Sequence, residues 1–252
     1  MHLTTIGTGT VAPHATRVCA GHLVEAGETR LLLDCGGGVL HRMAALGIRW
    51  QEITHVALTH FHSDHWSDLA PLLAAWRYGD LPPRSAPVTV LGPPGTLARM
   101  TQLAATFGEW VLDPGYPLEI REIASGEAVD LPGDVVVETR KVPHTDESVA
   151  YSVAGGGRRL VYTGDTAYDP ELAAWASGCS LLLAECSLPT GMAVPSHLTP
   201  EQCGMLAAVA GPEALVLTHF YPPVERVDIH ALVAERFAGR VSLATDGWNT
   251  EI

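Results

Sequence analysis

Basic charge is scarce in this chain. Lys141 is the only lysine, and 28 acidic residues against 15 basic ones give a formal net charge of −13 with histidine counted as neutral. The arginines are scattered and form no basic run. A polyanion would therefore find few phosphate contacts, and a broad nucleic-acid-binding surface is not predicted.

Cysteine pairs and long apolar stretches are missing as well. The five cysteines are an odd number without a Cys-x-x-Cys pair, which argues against a disulfide scaffold and against a structural zinc knuckle. No apolar stretch reaches the length of a membrane span, and the N-terminus continues into a strand pattern instead of a basic and then apolar segment. These absences lead us to expect a soluble, cytoplasmic protein with no membrane partner.

Histidine, by contrast, is concentrated in the stretch from Thr59 to His65. An apolar run of strand length precedes this stretch and a pattern of helical spacing follows it, so it is predicted to be a strand-to-helix loop. In such a loop His60 and His62 can reach one point, while Asp64 and the histidine after it diverge toward a second point nearby. This arrangement predicts two metal ions side by side.

Other polar residues stand at the ends of predicted strands later in the chain. A loop histidine in isolation is more often solvated, and a strand-end aspartate is more often a turn residue, so the residues alone leave their roles open. A carboxylate that follows Gly164, at a sharp turn, could bridge two metals. These further candidates are Asp34, His144, Asp165, Glu185, His197 and His219.

The predicted strands fall into two groups, each with flanking helices. Short runs between Leu118 and Thr163 are typical of a largely antiparallel sheet, and a last strand is expected at Val241 to Ala244. Long helices are expected from Trp66 and from Gly95. No linker divides the chain, so we expect one domain over residues 1–252, with an α/β fold of four layers in the order helix, sheet, sheet, helix.

Together these motifs resemble a known signature. The order of His60-x-His62-x-Asp64-His65, His144, Asp165 and His219 resembles the five motifs of the metallo-β-lactamase fold. Within that superfamily the chain is similar to ribonuclease Z, which trims the 3′ end of precursor tRNA. The similarity runs nearly end to end, through Ile6 to Thr10 with Pro13 and Arg17, Leu33 to Gly36, Gly164 to Thr166, Ala184-Glu185, His197-x-Thr199 and Leu217 to Phe220.

The resemblance implies a metal centre, a set of catalytic residues and a homodimer. Two zinc ions are implied, with Mn²⁺ or Fe²⁺ as replacements, and a water between them would lose its proton near neutral pH. Asp64 would orient that water or accept its proton, and Glu185 would hold His197 as an acid near the leaving oxygen. The implied ligands are His60, His62 and His144 for one metal, Asp64, His65 and His219 for the other, and Asp165 as the bridge.

The positions at which this chain departs from the family pattern bear on which substrate it takes. Gly37, Ala167 and Ala184 replace residues that are usually glutamate, arginine and histidine, and the lysine-rich arm that grips tRNA is not visible. These departures favour a small phosphodiester or cyclic nucleotide as the substrate. The alternatives are tRNA 3′-end processing with RNA as the partner, hydrolysis of a lactone, thioester or β-lactam, and a non-catalytic metal-binding regulator.

Overall fold

The computed structural model describes residues 1–79 and 81–252. Its strands are β1 (His2–Gly7), β2 (Gly21–Ala26), β3 (Thr29–Leu33), β4 (His55–Ala57), β5 (Val88–Gly92), β6 (Leu118–Glu122), β7 (Ala128–Leu131), β8 (Val135–Lys141), β9 (Val149–Gly155), β10 (Arg158–Tyr162), β11 (Leu181–Glu185), β12 (Ala214–Thr218), β13 (Arg240–Leu243) and β14 (Asn249–Glu251). Its α-helices are α1 (Val39–Ala45), α2 (Ser63–Trp66), α3 (Leu69–Ala74), α4 (Thr96–Phe107), α5 (Pro170–Trp175), α6 (Pro200–Ala210) and α7 (Ile229–Ala234).

The strands form two seven-stranded mixed sheets. The first has the order β14-β1-β2-β3-β4-β5-β6, and the second has the order β13-β12-β11-β10-β9-β8-β7. One apolar cluster joins residues of both sheets, such as Leu31 of β3 and Val153 of β9, and two further clusters lie under the flanking helices. The expected four-layer α/β sandwich is therefore confirmed.

Sequence composition explains why β11 and β12 are interior strands of the second sheet, each paired on both sides. Both strands are buried along their whole length and consist largely of leucine, valine and alanine. They pair in parallel with each other, and β11 also pairs in parallel with β10. Continuous apolar runs of this kind are typical of parallel strands that are covered on both faces.

Helices begin and end at recognisable signals. Helix α6 begins with a capping box, in which the Thr199 side chain accepts from the Gln202 backbone amide and the Gln202 side chain accepts from the Thr199 backbone amide.

The long helix predicted from Trp66 is interrupted in the structure. Helix α2 ends at Trp66, and α3 begins after Asp68 and continues into a π-helical turn, Ala75–Gly79. Within residues 1–79 and 81–252, no helix has both the length and the apolar character to cross a membrane.

Two strand assignments differ from the sequence expectation. The segment at Leu118 belongs to the first sheet, where β6 pairs in parallel with β5, and not to the antiparallel group. The last strand is β14, which follows β13 and pairs antiparallel with β1 of the first sheet. Its short, largely polar sequence, Asn249–Glu251, carries no hydrophobic signal from which a strand could be predicted.

The fold gathers the polar loops on one edge. Strands β3 and β4 are parallel, as are β10, β11 and β12, so the carboxyl ends of each set point the same way. The two sets meet at that edge, where the amide of Val149 donates to the carbonyl of Thr59 and the hydroxyl of Tyr162 donates to Asp34. This edge carries the candidate site.

Candidate metal centre

Two groups of potential metal ligands lie side by side at this edge. In each group one nitrogen or oxygen atom per residue lies within 4.8 Å of the others. Asp64, His65 and His219 are buried, whereas the other group opens to solvent at His62. The groups are His60, His62, His144 and Asp165, and Asp64, His65 and His219; a third set, Asp165, His197 and His219, meets the same distance criterion and overlaps both.

Asp165 stands between the two groups and turns one oxygen to each. Its Oδ2 lies 3.9 Å from His60 Nε2 and 3.7 Å from His144 Nε2. Its Oδ1 lies 3.2 Å from His65 Nε2 and 3.4 Å from His219 Nε2. A carboxylate placed in this way can bridge two metal ions, so the structure contains a binuclear His/Asp metal site.

The imidazoles are held by their other ring nitrogen. Each of four histidines uses Nδ1 for a protein partner, so that Nε2 is the nitrogen left to face a metal, as is usual for metal-binding histidines. The exception is His62, whose Nδ1 approaches His144 Nε2 at 3.0 Å. The Nδ1 partners are Thr59 Oγ1 for His60 (3.0 Å), Asp34 Oδ2 for His65 (2.8 Å), the Ser196 carbonyl for His144 (2.9 Å) and Ser187 Oγ for His219 (3.0 Å).

Asp34 holds several residues around the metal centre in place by hydrogen bonds. This fully buried carboxylate accepts from the Thr59 amide at 2.8 Å, from the Thr59 hydroxyl, from His65 and from the Tyr162 hydroxyl at 2.8 Å. Asp34 and His219 also adopt left-handed backbone conformations, with φ of 59° and 60°. Such φ values are uncommon outside glycine and occur where the surrounding structure requires them, often at functional sites.

Several atoms of the centre lack any hydrogen-bond partner in the described part of the chain. They are the Nε2 atoms of His60, His65 and His219 and Oδ1 of Asp165, all buried. Buried polar atoms are normally paired, so these atoms require a partner that the protein does not supply. A tetrahedral ion with bonds of about 2.0–2.1 Å would place neighbouring ligand atoms about 3.3 Å apart, close to the distances around Asp165. The residues therefore fit two metal ions.

The electrostatics favour positive charge between the carboxylates. Burial lowers the pKa of His60, which keeps this imidazole in the neutral form that binds metals. Burial also acts to lower the pKa of His65, but the charges of Asp165 and Asp34 outweigh it and raise that pKa. For Asp165, burial acts to raise the pKa, but the charges of His219 and His65 outweigh it and lower the pKa well below the usual value.

Glu185 and His197 form a pair beside the centre. His197 Nδ1 lies 3.1 Å from Glu185 Oε1, and the Thr166 amide donates to the same oxygen at 2.6 Å. Burial acts to lower the pKa of His197, but the hydrogen bond to Glu185 and its charge raise the pKa to about 9. The Nδ1 atom is also the atom that approaches Asp165, at 3.9 Å, so binding a metal there would break the bond to Glu185. The geometry favours a partner of Glu185 over an eighth metal ligand.

Sequence reasoning missed three residues of this edge. Ser187 contacts Glu185 Oε2, His219 Nδ1 and, at 3.4 Å, His197 Nδ1, and Tyr162 donates to Asp34. Tyr221 is half-buried, and burial together with the charges of site carboxylates raises its pKa to about 12. The sequence offered a signal for Ser187 and Tyr221, because each stands two residues after a candidate site residue. It offered none for Tyr162, which lies inside a buried strand.

Comparison with known proteins agrees with this geometry. A model of the beta-lactamase superfamily domain matches residues 29–220. Among solved structures, the metallo-beta-lactamase fold protein YhfI from Bacillus subtilis superposes with a TM-score of 0.85 at 23% identity, covering 100% of this chain and 98% of that one. Human tRNase Z, short form, superposes with a TM-score of 0.81 at 22% identity, covering 100% and 99%. The fold and site define a metal-dependent hydrolase with the metallo-β-lactamase sandwich.

Full-length relatives narrow this class. A protein named ribonuclease Z from Mycobacterium sp. (strain KMS) is 32% identical over 279 aligned positions, covering 100% of this chain and 96% of the relative. Another of that name from Mycobacterium marinum is 30% identical, with 100% and 99% covered. The chain belongs to the ribonuclease Z-like family of the metallo-β-lactamase superfamily.

Proposed function

We propose that this protein is a binuclear phosphodiesterase that hydrolyses a small phosphodiester or cyclic nucleotide. The observation that carries the proposal is the position of the Glu185–His197 pair, 3.9 Å from the carboxylate that faces both ligand groups. Hydrolysis of a phosphodiester requires activation of water on one side of the phosphorus and protonation of a leaving oxygen on the other. The ligand groups serve the first requirement and the pair serves the second.

The candidate ligands form two metal positions, one beside each oxygen of Asp165. Imidazole with carboxylate suits Zn²⁺, and Mn²⁺ or Fe²⁺ are replacements at the carboxylate-containing position. When bound, two such ions activate water and neutralise charge that develops on the phosphoryl oxygens. We assign His60, His62 and His144 to one ion, Asp64, His65 and His219 to the other, and Asp165 to both.

The chain's own groups handle the protons. Asp64 Oδ2 lies 3.5 Å from His219 Nε2, at the inner end of the centre, where it orients the attacking water or accepts its proton. Glu185 binds His197 through Nδ1, so that Nε2 remains to donate a proton to the leaving oxygen. Ser187 contacts both Glu185 and His219 and thereby fixes the pair relative to the ligands.

The preference for a small substrate rests on where the cationic groups are committed. The ammonium of Lys141 donates to the backbone carbonyls of Thr145 and Asp146, next to His144. The arginines of three surface pairs already contact carboxylates of the same chain at 2.7–2.8 Å. Arg30, Arg42 and Arg49 also lie within 3.5 Å of carboxylates, so at least six of the 14 arginines are ion-paired and fewer cationic groups are available to the phosphates of a large RNA. The three surface pairs are Arg17 with Glu225, Arg140 with Glu171, and Arg158 with Glu213.

A missing extension supports the same preference. Strands β9 and β10 are joined by a tight turn at Gly156 and Gly157, and no arm leaves the sandwich there. The alignment with the mycobacterial relative spans 279 positions, against 252 residues in this chain, so the relative has residues that this chain lacks. The chain would therefore offer a long RNA less surface than that relative does.

The second candidate is processing of precursor tRNA at its 3′ end. It is favoured by the name of the full-length relatives, which match this chain at 29–32% identity. A homodimer would enlarge the surface available to RNA. Exposed apolar side chains along α4, namely Leu97 and Phe107, are candidates for its interface. Hydrolysis of a lactone, thioester or β-lactam is less favoured because it gives the Glu185–His197 pair no role.

A substrate panel tests the proposal. Protein loaded with zinc or manganese is assayed on bis(p-nitrophenyl) phosphate, on cyclic nucleotides and on precursor tRNA, and we expect turnover of small diesters with intact tRNA. Cleavage of tRNA at a higher kcat/KM than any small diester would favour the second candidate, and no diester turnover with any metal would refute both.

A variant of the Glu185–His197 pair serves as the internal control. His197→Ala should lower kcat by about 10²–10⁴-fold, the usual contribution of a positioned acid, while two metals per chain remain by elemental analysis. Loss of metal from this variant would instead identify His197 as a ligand.

A further inference from the structure

Four rings follow one another around the open side of the metal centre. The centroids of His62 and His144 are 4.8 Å apart, those of His144 and His197 are 5.0 Å apart, and those of His197 and Tyr221 are 6.1 Å apart. His62 is exposed and the other three are partly exposed, so these rings border the space that a substrate enters. The three histidines have proposed roles, whereas Tyr221 has none.

The backbone and the neighbouring rings fix Tyr221 in place. Its amide donates to the Ser187 carbonyl at 3.2 Å, and its carbonyl accepts from the Val224 amide at 3.0 Å. Its ring meets His219 nearly perpendicularly, at 86° and 6.0 Å, and His197 at 69°. Two prolines follow it and restrict the chain further. A side chain held in this way loses little freedom when it binds a ligand.

The ring of Tyr221 stands beside the reaction centre, because it packs against the rings of both His197 and the candidate ligand His219. The side chain of Thr10 contacts its hydroxyl, and a phenol that accepts a hydrogen bond can still donate its own proton. An ester held between the metal ligands and His197 would lie next to this ring. A phenolic hydroxyl can donate one hydrogen bond, and a phosphodiester presents two non-bridging oxygens that only accept.

We infer that Tyr221 is a substrate-contacting residue, whose hydroxyl donates a hydrogen bond to a non-bridging phosphoryl oxygen of the bound ester. The inference rests on the proposed phosphodiesterase function and adds a residue that recognises the phosphoryl group. A fixed donor aimed at an oxygen that gains negative charge lowers the barrier because it needs no rearrangement. Tyr221 would thereby supply neutral recognition of phosphate in a chain with little basic charge.

The test compares Tyr221→Phe with the wild type, both loaded with zinc. We expect kcat/KM for bis(p-nitrophenyl) phosphate to fall about 10- to 100-fold, as for loss of one hydrogen bond to a charged group. Calorimetric titration with inorganic phosphate should show an affinity about 10-fold weaker, and metal content should be unchanged. Tyr78→Phe, a change at a tyrosine that is 62% exposed and packs on Trp110, is the control and should alter neither value.

Three results would overturn the inference. The first is a Tyr221→Phe enzyme within about 2-fold of the wild type, with Tyr221→Leu impaired, because the ring and not the hydroxyl would then act. The second is loss of zinc or a lower melting temperature in Tyr221→Phe, which would indicate a structural role. The third is unchanged phosphate affinity whatever the effect on turnover.

Phosphate binding separates this inference from the proposed function. If the wild type hydrolyses no diester with any metal, the proposed function fails. Weaker phosphate binding by Tyr221→Phe would then still support the contact between hydroxyl and anion, and equal binding would refute it.

Discussion

Asp165 is the residue that we propose both metal positions share. Its two oxygens face different histidine pairs, at 3.2–3.4 Å on one side and 3.7–3.9 Å on the other. His144, by contrast, belongs to one ligand group only. Substitutions at these two residues should therefore differ in how many metal ions are lost.

We expect Asp165→Ala to lose most metal at both positions, because neither ligand group keeps its shared carboxylate. His144→Ala should keep about one ion per chain, because Asp64, His65 and His219 are unchanged. Inductively coupled plasma mass spectrometry on dialysed protein measures both values. Equal metal content in the two variants would show that Asp165 does not bridge.

At the scale of single residues, the sequence predicted which candidate ligands lie together far better than it predicted the residues that support them. His60 to His65 could be identified because four polar side chains of ligand type stand within six positions. Tyr162 could not be predicted, because its contact with Asp34 spans 128 positions and depends on the packing of one sheet against the other. Such contacts are properties of the fold and leave no local pattern.

At the scale of elements, the turn between β10 and Asp165 packs against Thr59, in the loop that follows β4 of the first sheet. Gly164 has φ of +56°, and a Cβ added there would lie 2.9 Å from the Cβ of Thr59. Thr59 cannot move away easily, because its hydroxyl contacts both Asp34 and His60. A side chain at position 164 would therefore disturb the loop that carries the first histidines.

We expect Gly164→Ala to lower the free energy of unfolding by about 2–4 kcal/mol, from left-handed strain and from overpacking, and to weaken metal binding. Gly178→Ala is the matched control, because Gly178 has φ of +70° with nothing within 4 Å of the added carbon, and only the strain of about 1–2 kcal/mol applies. Urea titration with metal analysis measures both effects. Equal losses in the two variants would contradict the close packing on Thr59.

Element prediction succeeded where hydrophobic periodicity was strong and failed where pairing was long-range. Strands β11 and β12 were evident from their buried leucines. The parallel pairing of β6 with β5 was not predictable, because its neighbours in sequence, β7 and β8, form an antiparallel hairpin in the other sheet. Strand β14 is three residues long, and its pairing with β1 joins the two ends of the chain.

At the scale of the molecule, we propose that residues 1–252 fold as one domain. The cluster between the sheets contains Leu31 and Leu33 of the first sheet and Tyr151 and Val153 of the second, all buried. Neither sheet can expose this surface to water without loss of the other's packing.

The net charge of −13 is also a property of the whole molecule, and it disfavours binding of large polyanions. The choice of the proposed ester substrate depends instead on a few side chains.

We expect a single unfolding transition by calorimetry, with calorimetric and van't Hoff enthalpies that agree. Zinc at about 1,000 times its dissociation constant should add about 4 kcal/mol, or roughly 10 °C in Tm, and a chelator should remove this gain without splitting the transition. Two transitions with separate metal dependence would contradict the single domain.

Anomalous diffraction from crystals grown with zinc tests the central claim most directly. Data collected above and below the zinc absorption edge should give two peaks per chain, about 3.5–4 Å apart on either side of Asp165. One peak would lie among His60, His62 and His144, and the other among Asp64, His65 and His219. A single peak, or a second peak held by His197 instead of either group, would contradict the account.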